Sequence, residues 1–155
     1  MIESICQELN NWFDRDQPKY FGEFTLSDST ITDSAGNAVT FKDGQYFRVV
    51  GSVLNDGVYQ YSMHPLYSFN TESFSGAIWA MAVPSAVIAL ASEVDEWMTK
   101  YGGMDSQAMS PYNSESFSGY SYSKSGSGSS NTGGANWQSV YANRLKPWRK
   151  IACHY

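Results

Sequence analysis

Apolar positions near the start of the chain repeat at helical spacing. Ile2, Ile5, Cys6, Leu9 and Phe13, with Trp12 beside them, share one face and predict a first helix over 2–13, ended by Pro18. From Tyr20 to about Met81 the period becomes alternating, with Phe24 and Leu26 in one short run and Val39 and Phe41 in another. The turn-rich Asp33-Ser-Ala-Gly-Asn37 separates these two runs. Two further β-rich runs between Asp43 and Tyr61 flank Asn55-Asp56-Gly57, a hairpin signal, and Gly51 marks a bulge or bend. Gly76–Met81 predicts a strand that closes a small twisted sheet or barrel.

Helical spacing returns after Pro84. Val87, Ile88, Ala91, Val94, Trp97, Met98 and Tyr101 form a broad apolar face, and Gly102-Gly103 ends the element. Met104–Asn113 reads as a loop, and the Gly/Ser-rich run from Ser125 to Gly134 as a tether. A last helix starts at Asn136 as N-cap, runs through Trp137, Val140, Tyr141 and Leu145, and stops at Pro147. The expected class is α+β: helices packed with a small antiparallel β module inserted between the first and second helix, plus an extended C-terminal arm with a short helix. The folded body spans 1–109, with the β module over about 20–82 and the long helix over about 84–101. Residues 110–155 form the interaction arm.

Charge sharpens this division. The net charge is −5, but all 15 acidic residues lie in 1–115 with five basic ones, giving that part −10. Lys124, Arg144, Lys146, Arg149 and Lys150 give 116–155 a charge of +5. An acidic body with a basic arm suits an arm seeking a partner surface; the alternative is that basic residues at a helix C-terminus merely answer its dipole. A tethered tail adds little to the body's core, so removing 147–155 is expected to leave the body folded.

Candidate chemistry is sparse. Cys6 and Cys153 lie near opposite ends without CxxC spacing and read as buried or idle thiols. His64 and His154 are too dispersed for a zinc site, and Gly126-Ser-Gly128 lacks the third glycine and preceding strand of a dinucleotide loop. Glu93, Asp95 and Glu96 sit on one side of the long helix, where a solvated face is the ordinary reading. No run of about 18 apolar residues predicts a membrane span. The N-terminus lacks the basic region of a signal peptide, so export by that route is not expected. The expectation is a protein that is not an enzyme and has no cofactor or metal.

The order of these elements, with Ser114-Glu-Ser-Phe-Ser-Gly-Tyr-Ser-Tyr-Ser-Lys124 after the long helix and Leu145-Lys-Pro-Trp-Arg-Lys-Ile151 at the end, resembles the head–tail connector (adaptor) proteins of tailed bacteriophages. Glu115, Ser116, Gly119, Tyr120, Ser121 and Tyr122 match the first motif, and Leu145, Pro147, Trp148 and Arg149 the second. The inserted β module is larger than a minimal helical adaptor carries, so the family's all-helical fold does not transfer.

The resemblance implies a ring, a dodecamer in this family, beneath the portal protein in the virion neck. The subunits would be made in the host cytoplasm. Viral DNA passes through the lumen without sequence-specific binding, and a stopper or tail protein follows; no membrane partner is implied. Glu115, Phe117, Tyr120, Tyr122, Trp148, Arg149, Lys150 and Ile151 are the implied portal or inter-subunit contacts; Glu93, Asp95 and Glu96 are candidates to face the lumen, where negative charge would repel DNA. Alternating Phe117, Tyr120 and Tyr122 suit addition to a neighbour's sheet edge. Two other readings stand beside this one. One is a β-rich carbohydrate- or peptide-binding module using Trp79, Tyr59 and Tyr61; the other is a tail-completion or stopper protein.

Overall fold

A computed structural model of the chain describes residues 1–102, 114–117, 120–123 and 136–150. The loop expected over 104–113, the tether over 125–134, and Ile151, Cys153 and His154 lie outside the described residues. Among the described residues the architecture is α+β: a five-stranded antiparallel sheet follows the first and precedes the second of three α-helices.

Helix α1 (Ile2–Leu9) buries Ile5, Cys6 and Leu9. It ends four residues earlier than the apolar spacing predicts. Asn10 takes the left-handed conformation (φ 49°) and caps the helix, a state that asparagine reaches more easily than most residues. Phe13 also has positive φ (51°), and its N–H donates to Asn11 Oδ1 at 3.0 Å. The two asparagines therefore make a loop from what reads as a helical face.

Strands β1 (Lys19–Asp28), β2 (Thr30–Asp33), β3 (Tyr46–Val50), β4 (Gly57–Gln60) and β5 (Phe69–Ala80) form the sheet in the order β2-β1-β5-β3-β4. β5 is its spine. It starts at Phe69, seven residues before the expected Gly76, and pairs with β1 from Asp28↔Phe69 to Lys19↔Trp79. Val39 and Phe41 are not in a strand; only a Thr32↔Ala38 bridge forms there. Both still cover the sheet core, where Phe41 stacks on Phe47 with centroids 4.7 Å apart. The β3–β4 connection is a six-residue loop over 51–56, and Gly57 opens β4 rather than completing a tight turn. Gly51 has φ 93°, the bend expected at that position.

One sheet face carries Phe24, Leu26, Ile31, Phe47, Val49, Phe69, Phe74 and Ile78 as its own core. Ile5 and Leu9 of α1 join Val87, Leu90, Ala91 and Val94 of α2 (Ser85–Tyr101) in a second, helical core. The buried stripe of α2 is narrower than predicted: Leu90 replaces Ile88 at its centre, and Met98 is exposed. Helix α3 (Trp137–Leu145) starts at Asn136, whose side chain accepts from Ser139 N, and ends in one 3-10 turn over Lys146–Trp148. Its Trp137 and Leu145 are buried among α1 and α2, and full burial of a leucine contributes about 1.5–3 kcal/mol. This helix, expected within an extended arm, packs as part of the body.

Candidate functional site

The last described residues clasp the first helix. Lys150 N donates to Leu9 O at 2.9 Å, and Asn11 Nδ2 donates to Trp148 O at 2.9 Å. Phe13 meets the Trp148 ring edge-on at 6.3 Å, and the Arg149 guanidinium pairs with Glu8. Trp148 and Arg149, expected to face a partner, thus hold the chain's own two ends together. The aromatic–apolar contact explains the tryptophan, and the Glu8 carboxylate explains the arginine. A cleft of about 600 Å³ opens beside them, lined by Phe13, Pro84 and Trp148 and rimmed by Arg15, Lys19 and Lys150. Asp14 also lies there, 2.6 Å from Lys19 Nζ.

The acidic side of α2 divides three ways. Glu93 receives both terminal nitrogens of Arg144, and Tyr141 Oη donates to Glu93 O. The Arg144 hydrogen bonds hold the Glu93 carboxyl below its ordinary range. Asp95 lies 3.9 Å from the N-terminal amine, and Glu96 is exposed. Of the three expected lumen-facing acids, Glu93 is already neutralised by the chain itself. Two of the five basic charges after residue 115, Arg144 and Arg149, answer acids of the body.

Strands β6 (Ser114–Phe117) and β7 (Tyr120–Ser123) pair with each other as a separate two-stranded sheet. The register is Ser114↔Ser123, Glu115↔Tyr122, Ser116↔Ser121 and Phe117↔Tyr120. Glu115, Phe117, Tyr120 and Tyr122 fall at alternate, mutually opposed register positions, the positions that share a face in an antiparallel pair. The intervening register positions are the four serines Ser114, Ser116, Ser121 and Ser123. The sheet brings these four expected contact residues together; Trp148, Arg149 and Lys150 are held elsewhere, at α1. Ile151 lies outside the described residues.

A polar clamp, with no sign in the sequence beyond a turn, builds the 51–56 loop. Glu72 of β5 accepts from Ser52 Oγ, Val53 N, Leu54 N and Asn55 Nδ2. Asn55, only 3% exposed, also donates to Asn70 O and accepts from Asn70 N. These bonds, the Ser52 hydroxyl's first, hold the Glu72 carboxyl below its ordinary range. A depressed carboxyl stabilises the fold above its unfolded value, about 4.3, and that contribution is lost as pH falls through the lower native value. Between pH 7 and pH 3 the melting temperature of Glu72→Gln is therefore expected to fall less than that of the native protein. An equal fall in both would remove Glu72 from the acid response.

Trp79, Tyr59 and Tyr61 do not form a flat exposed platform. Arg48 lies over the Trp12 ring at 3.5 Å and the Trp79 ring at 5.4 Å, with Lys19 over Trp79 at 5.2 Å. Tyr59 stacks on Phe47, and Tyr61 meets Phe41 edge-on. The Cys6 thiol is buried, and that burial pushes it up to about 12, so it is no nucleophile at neutral pH. Among the described residues no group of three His, Cys, Asp or Glu is placed to hold a metal, and no helix is long and apolar enough to cross a membrane. No family model, no curated protein and no solved structure matches the chain.

Proposed function

We propose that the chain is a structural head–tail connector (adaptor) of a tailed phage virion, a non-enzymatic ring subunit beneath the portal protein. The observation that carries this is the β6–β7 hairpin. A two-stranded hairpin alone is marginal in water, and one with an aromatic face needs an apolar surface to lie on. Among the described residues the hairpin joins no other sheet, so its stability is best supplied by a neighbour: an identical subunit or the portal. The resemblance of its residues to the connector motif points the same way. The β-rich binding module loses ground, because its aromatic residues stack on cations and on one another.

In this reading the helical body and sheet form the ring wall. Glu96, with Asp95 beside the N-terminal amine, is the acid left to face passing DNA, where negative charge repels the phosphate backbone and keeps the channel from binding it. A downstream stopper or tail protein docks on the far face.

The test is light scattering after gel filtration, of the protein alone and mixed with purified portal rings. A ring, or a monomer that co-elutes with portal, is expected. Tyr120→Ala/Tyr122→Ala is expected to abolish that assembly while shifting stability by no more than about 0.5 kcal/mol, as for residues outside a body's core. A monomer indifferent to the portal overturns the proposal.

A further inference from the structure

The five-stranded sheet has two edges, and they are built differently. At β2 the outer edge is already occupied: Asp33 N donates to Asn37 O at 2.9 Å, and Val39 N donates to Ile31 O at 2.8 Å. The Thr32↔Ala38 bridge lies between these bonds. At β4 the outer edge carries no further strand among the described residues. Tyr61 N donates to Gln45 O, while Tyr46 O accepts from Met81 N on the β5 side, so successive residues of β3 point alternately to β4 and β5. Phe47 and Val49 therefore bond Tyr59 and Gly57, and the N–H and C=O groups of Val58 and Gln60 point away from the sheet. They have no backbone partner among the described residues.

An open edge is a template for another strand unless it is protected by charge, proline or a covering segment. Val58 and Gln60 supply neither charge nor proline, and α1 reaches only the start of the strand, where a Cβ on Gly57 would meet Glu3 Oε2 at 3.6 Å. A cleft of about 510 Å³ runs along the same edge, lined by Tyr59, Tyr61, Leu66 and Tyr67, with Leu66 fully exposed. β4 is four residues long, as are β6 and β7.

From these we infer that the β4 edge of each subunit accepts the β6–β7 hairpin of a second copy, extending its sheet from five strands to seven. The inference rests on the connector reading and names the contact that would join its subunits. Strand addition satisfies the outward groups of Val58 and Gln60. By register it sets Phe117, Tyr120 and Tyr122 at positions in line with Tyr59 and Tyr61, and the serine positions in line with Gln60. Eleven residues separate Gly102 from Ser114, enough to span roughly 36–40 Å when extended, so the hairpin can reach beyond its own body. Donor and acceptor are different surfaces. Each copy gives one hairpin and receives another, the head-to-tail contact that closes rings.

Cross-linking tests this with full-length chains in which Cys153 is replaced by serine; Cys6 is buried and unreactive. One chain carries Gln60→Cys and the other Ser121→Cys, and a short bismaleimide is added to the mixture with and without portal rings. A hetero-adduct between the two chains is expected. Adding Val58→Pro to the first chain removes one outward N–H, which an edge strand tolerates, and is expected to cut the yield about tenfold without changing the melting temperature. Tyr120→Ala/Tyr122→Ala in the second chain is expected to do the same. The inference is overturned if the link forms only within a single chain carrying both cysteines, or if neither variant lowers the yield. It is also overturned if the chains co-elute with portal rings and give no adduct, an outcome that leaves the connector reading standing. An adduct from chains that ignore the portal does the opposite: the strand-addition contact stands and the connector reading falls.

Discussion

Gly76→Ala is expected to lower stability by about 3 kcal/mol, which in a chain of this length shifts the melting temperature by roughly 6–12 °C. The reason is a close approach between two strands. A Cβ on Gly76 would sit 2.2 Å from Val50 O and 2.8 Å from Phe74 Cε2. The nearer atom is backbone, so relief requires β3 to move relative to β5. Gly51 lies against the same point, where an added Cβ would meet Gly76 Cα at 3.4 Å, and Gly22 faces Gly76 across the β1–β5 pair. The end of β3 thus presses onto the spine of the sheet where glycines in β1, in β5 and just after β3 leave room for it. Ser75→Ala, one position away and exposed, is the matched control and is expected to melt within about 0.5 kcal/mol of the native protein. Equal melting of the glycine and serine variants would mean that β3 does not approach β5 this closely.

The second large effect concerns the chain end. Removing residues 147–155 is expected to cost about 2–4 kcal/mol, because the half-buried Trp148 and hydrogen bonds to Leu9 and Asn11 go with it. A tail on a tether would cost nothing, as its composition leads one to expect. The structure replaces that expectation: the Trp148–Phe13 contact and the Lys150–Leu9 bond make the end of the chain part of the helical body. Trp148→Ala alone is expected to account for about half of the loss, given the value of an edge-on aromatic pair plus its buried area. Thermal melts of both variants measure this directly, and unchanged melting would detach the C-terminus from the body.

What could be read from residues alone follows from the range of the forces involved. α2 and α3 were legible because Pro84, Gly102 and Asn136 act within one turn of the helix ends that they mark. The N-terminal half of β5 was not: Asn70, Thr71, Glu72 and Ser73 look like a loop, and Glu72 is used by a clamp whose other members lie 17–20 residues away. The early end of α1 turns on Asn10, whose left-handed cap overrides an apolar spacing that continues to Phe13. The candidate contact surface was half visible. Alternation in 114–123 shows an aromatic face, but the open edge at β4 depends on which residues of β3 bond to which side. The basic ending was misleading for the same reason. Arg149 finds Glu8 across 141 residues, and Arg144 finds Glu93 across 51, separations that no local periodicity reports.

That clasp between the two ends sets the order in which the protein can be made. Residues 19–80 hold a sheet and its core within one continuous stretch, so this part can fold while the remainder of the chain is still on the ribosome. The helical body cannot. Its core starts from Ile5 and Leu9, which can meet Val87, Leu90, Ala91 and Val94 once α2 is made, but it is closed only by Trp137 and Leu145 of α3. During synthesis the nascent chain is therefore a finished sheet beside the α1–α2 pair, whose shared core stays open to chaperones and proteases on the α3 side until Leu145 emerges.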